Sequence, residues 1–151
     1  MKRYRIRSKE TRLLPKRNRR LHLPHREATR GWTPEQERAI TLKGGSILVS
    51  AAAGSGKTAV LVERIIRRIT DPVSPVPADQ FLVVTFTNAA AAEMRSRISR
   101  RLREKIAEGP ENPFYERQLL LLSKARICTM DAFFSAMVRE NFERLGVSPN
   151  L

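Results

Sequence analysis

Lys57 and Thr58 close a run of small residues, Ala51-Ala52-Ala53-Gly54-Ser55-Gly56, which itself follows the apolar, β-prone stretch Ile47-Leu48-Val49-Ser50. Strand, nearly side-chain-free loop, Lys-Thr and helix in this order suit the binding of a polyphosphate. Backbone N–H groups of such a loop can wrap an anion, and the helix that follows aims its unpaired N–H groups and positive dipole end at the same spot. Lys57 is placed to reach the β- and γ-phosphates as a point charge, and the Thr58 hydroxyl to ligate Mg²⁺. Gly54 and Gly56 supply backbone freedom where a Cβ would cost energy. The usual pattern is G-x-x-x-x-G-K-[ST], and its first position here is Ala51. The plain alternative, a Gly/Ala turn before an ordinary helix, is disfavoured because all the parts occur in the order that phosphate binding needs.

Two further groups of residues carry possible chemistry. Thr33-Pro34-Glu35-Gln36 reads as a helix start, with Thr33 as N-cap and Pro34 at the first helical position. Gln36 then has two readings: the structural partner in a capping box, or an amide offering one donor and one acceptor to the edge of adenine. The second group, Thr85-Phe86-Thr87-Asn88, follows an apolar strand. In open α/β sheets ligands collect at the carboxyl ends of strands. An aromatic beside hydroxyl and amide groups suits single-stranded nucleic acid, whose bases stack and whose phosphates accept hydrogen bonds. His22 and His25 form no metal pattern, and the single Cys128 reads as a buried structural thiol rather than a reactive one.

The elements that must position these groups follow from periodicity. A short helix runs from Pro34 to about Leu42, closed by Gly44-Gly45. From Ala59 to Thr70 the stripe Val60, Leu61, Ile65, Ile69 predicts a second helix, with Glu63, Arg64, Arg67 and Arg68 facing elsewhere. Residues 71–80, broken by Pro72, Pro75 and Pro77, form a connecting loop. Phe81 to Thr85 is a continuous apolar run of the kind buried on both faces of a parallel sheet. Strand, helix and strand make a β-α-β unit with a right-handed crossover. A basic helix, capped by Thr87 or Asn88, runs to about Ala107 and carries Arg95, Arg97, Arg100, Arg101, Arg103 and Lys105. Phe114 to Lys124 forms another helix, its Leu119–Leu122 divided between core and a partner surface. Arg126 to Thr129 makes a third strand, and a last helix runs from Met130 to about Leu145, ended by Gly146. The fold class expected is α/β, a parallel sheet with flanking helices.

At 151 residues the chain suffices for one domain with a sizeable core. Its net charge of +14 favours a polyanionic partner. Residues 1–30 hold 12 Lys/Arg against Glu10 and Glu27, so they account for +10 of that charge. Residues 1–31 have no stable period and read as a disordered or loosely attached basic tail. A nucleic-acid-binding arm and a merely solvated extension are both open for it. A lone cysteine excludes an internal disulfide and a Cys-based zinc site. With no signal-peptide core and no apolar run of roughly 18 residues, the expected location is cytoplasmic, with no membrane partner.

Four blocks in fixed order carry a family resemblance: T-P-E-Q, A-A-A-G-S-G-K-T, V-V-T-F-T-N-A-A-A-A-E-M-R-S-R-I and I-C-T-M-D-A-F-F. From about Trp32 to Leu151 the chain resembles superfamily 1 DNA helicases of the UvrD and Rep type, with these blocks as the Q motif and motifs I, Ia and Ib. Within that superfamily S-A-A-A-G-S-G-K-T, T-M-D-A-F-F and R-E-N-F-E-R-L-G-V-S-P-N resemble the AddA-type subunits of AddAB helicase/nucleases. The resemblance implies a P-loop NTPase (RecA-like) domain, ATP and Mg²⁺ as cofactors, 3′-to-5′ movement on single-stranded DNA, unwinding of duplex ends for recombinational repair, and an AddB-type partner subunit. Residue by residue it implies adenine contact by Gln36, phosphate and Mg²⁺ binding by the loop from Ala51 to Thr58, and DNA contact by Thr85, Phe86, Thr87 and Asn88, with Thr129 and Asp131 at the motif Ib place. The family's acidic motif II, its arginine finger, its second RecA-like domain and its nuclease do not occur in these residues. Residues 32–151 are therefore expected to be the first part of the ATP-binding domain 1A, inactive alone. The alternative is a truncated, non-catalytic nucleotide- or DNA-binding polypeptide.

Overall fold

The computed structural model describes residues 5–7, 31–146 and 148. The chain divides into two compact units, residues 1–64 and 65–151. Expectations for the remainder of the basic tail lie outside the described residues. The described piece of the tail, Arg5–Arg7, forms a strand (β1) where the sequence reading has no element.

In the first unit, α1 (Pro34–Thr41) begins as expected. The Thr33 hydroxyl accepts from the Gln36 N–H at 3.3 Å and the Gln36 Oε1 accepts from the Thr33 N–H at 2.8 Å, a complete capping box that satisfies two first-turn donors. Strand β2 (Leu48–Ser50) pairs antiparallel with β1, and Val49 packs with Trp32 against a small core of Ala39, Ile40 and Val60. Helix α2 (Lys57–Ile69) leaves the small-residue loop directly. Its buried residues are Val60, Val62, Glu63, Ile65, Ile66 and Ile69, while Leu61 is exposed. Val60, Ile65 and Ile69 of the expected stripe are thus buried and Leu61 is not: spacing by three and four from Val62 selects 65, 66 and 69, and carries Glu63 inward in place of Leu61.

In the second unit, the loop after α2 is pinned by Asp71, whose buried carboxylate accepts from the N–H groups of Val73 and Ser74, each at 3.0 Å. A single 3₁₀ turn (Ala78–Gln80) leads to β3 (Leu82–Thr85). Helix α3 (Asn88–Glu108), α4 (Pro113–Leu122) and β4 (Arg126–Thr129) follow. Strands β3 and β4 pair in parallel, from Leu82↔Arg126 to Thr85↔Thr129. Among the described residues β1 and β2 make one two-stranded sheet and β3 and β4 another. The parallel pairing in the second unit therefore spans α3 and α4.

Helix α3 packs on both β3 and β4 and on α4. It buries Ala91, Met94, Ile98 and Leu102, spaced by three or four along one face. The face of the strand pair carrying Val83 and Ile127 is buried, whereas Leu82 and Val84 are exposed, so β3 alternates and is not covered on both faces. In α4 the leucines divide, Leu122 buried and Leu120 exposed. The last expected helix is two: α5 (Met130–Glu140) and α6 (Phe142–Leu145). Asn141, at φ −126°, interrupts them and its Nδ2 donates to the Met137 carbonyl at 2.8 Å, a side-chain contact that competes with continuing the helix. Gly146, at φ +63°, ends α6 in the left-handed conformation for which glycine is suited.

Candidate functional site

The loop ahead of α2 reverses sharply. Gly54 (φ +70°) and Gly56 (φ +86°) both occupy the left-handed region, on either side of Ser55, whose N–H donates to the Ala52 carbonyl at 3.2 Å. Residues with a Cβ would be strained at either position. Ala51, Ala52 and Ala53 bring the chain from β2 into this turn. Lys57, on the first residue of α2, curls back so that its Nζ donates to the carbonyls of Ala51 (2.7 Å) and Ala52 (2.9 Å). Its ammonium is held at the start of the loop, and both Lys57 and Thr58 are exposed. The Ser55 hydroxyl is buried and makes no hydrogen bond within the described residues. An orphaned hydroxyl between two left-handed glycines at a helix N-terminus fits an anion as its missing partner. Gln36 is brought to the same loop: besides its capping contact, its Nε2 donates to the Ser55 carbonyl at 3.3 Å. The capping reading is therefore realised, and the amide also touches the loop.

A second group forms where β3 and β4 end. Thr85 and Thr129 are register partners, and the single Thr85 hydroxyl proton is shared between the Thr87 carbonyl at 3.0 Å and the Cys128 carbonyl at 3.4 Å. Thr87 caps α3 by accepting from the Ala90 N–H (3.1 Å), and Thr129 caps α5 by accepting from the Ala132 N–H (3.2 Å). The structure thus selects Thr87 over Asn88 as the cap. Two helix N-termini start from adjacent strand ends. Phe86 stands between strand and cap, 97% exposed, with Asn88 and Asp131 also exposed in the first turns. Cys128 is half-buried and free, less enclosed than expected.

Residues 32–151 match the model of the UvrD/REP helicase N-terminal domain. The chain belongs to the UvrD/REP helicase family. Among similar curated proteins, each named as the A-type subunit of an ATP-dependent helicase/nuclease, those of Pelotomaculum thermopropionicum, Acetivibrio thermocellus and Moorella thermoacetica are 54%, 56% and 55% identical over 120, 118 and 120 residues. These segments cover 80%, 78% and 80% of this chain but only 10%, 9% and 8% of the relatives. The chain spans about a tenth of their length.

In this UvrD/REP chain the basic face expected on α3 is largely neutralised. Arg97 pairs with Glu93 at 2.5 Å, Arg101 with Glu104 at 2.5 Å and Lys105 with Glu108 at 2.6 Å, and Arg100 lies 3.9 Å from Glu104. The Lys105 contact holds the Glu108 carboxyl below its ordinary pKa, by hydrogen bond first and charge second. Arg95 is turned inward, donating to the carbonyls of Leu122 (2.7 Å) and Ala125 (3.1 Å). Arg64 does the same in the first unit, reaching the carbonyls of Ala39 (2.7 Å) and Ile40 (3.3 Å). The sequence reading missed both arginines as backbone clamps. Nothing in a helical arginine's spacing separates a clamp from a solvated charge, because the carbonyls it satisfies belong to distant residues. Among the described residues no three His, Cys, Asp or Glu side chains gather as a metal site, and no helix is long and apolar enough to cross a membrane.

Proposed function

We propose that residues 32–151 are the first part of a RecA-like ATP-binding domain 1A, ahead of motif II, of an AddA-like ATP-dependent helicase/nuclease. The whole protein would move 3′ to 5′ on single-stranded DNA and open duplex ends in double-strand break repair and recombination. An AddB-type subunit is its partner and the cytoplasm its location. The observation that carries this reading is the loop from Ala51 to Thr58: two left-handed glycines, a buried hydroxyl without a partner among the described residues, and Lys57 on the first residue of the helix.

In this reading the N–H groups from Gly54 to Thr58 hold the β-phosphate, and Lys57 exchanges the Ala51 and Ala52 carbonyls for phosphate oxygens, which as anions form the stronger, charge-assisted bond. Thr58 would offer its hydroxyl to a Mg²⁺ bound with the nucleotide, and such an ion would supply charge neutralisation of the phosphates. Gln36, at the junction of α1 and the loop, reads adenine. Thr85, Phe86, Thr87 and Asn88, with Thr129 and Asp131, meet single-stranded DNA: the paired helix N-termini favour phosphates, and Phe86 offers a stacking surface. The test is calorimetry of ATP with Mg²⁺ on the wild-type chain and on Lys57→Ala. The variant is expected to bind at least tenfold more weakly, of the order of one lost charge-assisted hydrogen bond. Equal affinities would remove the phosphate-loop reading.

A further inference from the structure

Helix α1 is tied to the phosphate-loop segment at both of its ends. At the amino end Gln36 Nε2 donates to the Ser55 carbonyl. At the carboxyl end Arg64 Nη1 donates to the carbonyls of Ala39 and Ile40 at 2.7 and 3.3 Å. Those two carbonyls belong to the last turn of α1, where a helix has acceptors without intrahelical partners and where a cation complements the dipole. In the same last turn the side chains of Ala39 and Ile40 pack on Val60. Apolar packing holds α1 against α2 but is non-directional, and a small core of Ala39, Ile40 and Val60 with Trp32 and Val49 against it does not by itself set where an eight-residue helix stops along its axis. The arginine contact does, because hydrogen bonds require both distance and angle. Arg64 lies on α2, two turns beyond Lys57, so its position is fixed to the phosphate loop by the helix itself. A slide of α1 by one residue, about 1.5 Å, would take Gln36 out of reach of the Ser55 carbonyl.

We propose that Arg64 is a positioning residue for base recognition: by holding the last turn of α1 it sets the place of Gln36 beside the phosphate loop, and so fixes the preference for adenine without touching the nucleotide. The inference rests on the reading of Gln36 as the adenine contact given above.

The test uses the full chain and measures affinities for ATP, inosine triphosphate and inorganic tripolyphosphate, all with Mg²⁺, in wild type, Arg64→Ala, Arg64→Lys and Gln36→Ala. Inosine lacks the 6-amino group, and tripolyphosphate lacks the base altogether. Arg64→Ala is expected to lower the ATP-to-inosine triphosphate preference about fivefold, the scale of one hydrogen bond, while tripolyphosphate affinity stays within about twofold. Arg64→Lys keeps the charge but not the planar fork of donors, and should fall between the two. Native amide exchange over residues 37–42 should quicken in Arg64→Ala. If Gln36→Ala abolishes the preference and Arg64→Ala keeps it, the positioning role is overturned and the adenine reading stands. If Gln36→Ala keeps the preference, the adenine reading fails and takes the proposal with it. Loss of tripolyphosphate binding in step with ATP in both Arg64 variants would make the residue merely structural and also overturn the proposal.

Discussion

Thr85 and Thr129 are register partners at the carboxyl ends of the parallel strands β3 and β4, and each strand runs almost directly into a threonine-capped helix. Because the strands are parallel and in register, the N-termini of α3 and α5 start side by side. Each presents first-turn N–H groups and the positive end of a helix dipole on the same edge. Thr87→Ala combined with Thr129→Ala should weaken binding of an oligothymidylate. Each lost cap should also lower stability by about 0.5–2 kcal/mol, so affinity must be measured well below the melting temperature. Unchanged affinity in the folded double variant would remove this edge from the DNA path.

Phe86 provides the cleanest separation of binding from folding. It is 97% exposed, so its removal takes almost no buried area from the fold. Phe86→Ala should leave the thermal midpoint in place and lower single-stranded DNA affinity by roughly five- to a hundredfold, the range for losing one base stack. Fluorescence anisotropy with a labelled oligonucleotide reads this directly. An unaltered isotherm would mean that the ring is not a stacking platform.

Arg95 presents the opposite case. Its guanidinium holds the carbonyls of Leu122 and Ala125, which flank the turn between α4 and β4. Arg95→Met should cost about 1–3 kcal/mol in urea denaturation, since two part-buried acceptors lose a charged donor. A loss confined to DNA affinity, with stability intact, would show that Arg95 acts on a nucleic acid and not as a clamp on the fold.

The ion pairs along α3 predict a small pH effect. Lys105 holds the exposed Glu108 carboxyl below its ordinary value. A carboxylate whose pKa is lower in the folded chain stabilises the fold above its unfolded pKa, near 4.5, and that contribution disappears as pH falls through the lower folded value. An NMR titration should place the Glu108 midpoint below that of an isolated glutamate, and Lys105→Ala should raise it. A midpoint indifferent to Lys105 would show that the contact does not persist in solution.

Hydrolysis by the 151-residue chain alone is expected to be at background. The sequence contains no adjacent Asp-Glu pair of the kind that the family's acidic block supplies. Phosphoryl transfer depends on such positioning groups, and a stabilising arginine alone can be worth about 10³ to 10⁵ in rate. A steady-state assay with saturating single-stranded DNA decides it. Turnover near one per second, within the ordinary enzyme range and lost in Lys57→Ala, would contradict the expectation.

The sequence by itself determined the features whose cause is local. The capping box at Thr33 and Gln36, the glycine turn at Gly54 and Gly56, the presence of a helix after that turn and the cap at Gly146 all depend on φ preferences and contacts within a few residues. Those rules are written in residue type and spacing. Tertiary structure alone decided the matters that depend on partners distant in the chain. Leu61 gave way to Glu63 on the buried side of α2, β3 paired with β4 across α3 and α4, and Leu82 and Val84 stayed exposed. The arginines show the distinction most sharply. Arg64 and Arg95 sit in helices whose composition reads as solvated and basic, yet each donates to carbonyls at least 24 residues away. A helical period records which face a side chain occupies, but the acceptor it meets is fixed only when another segment brings its unpaired backbone to that face.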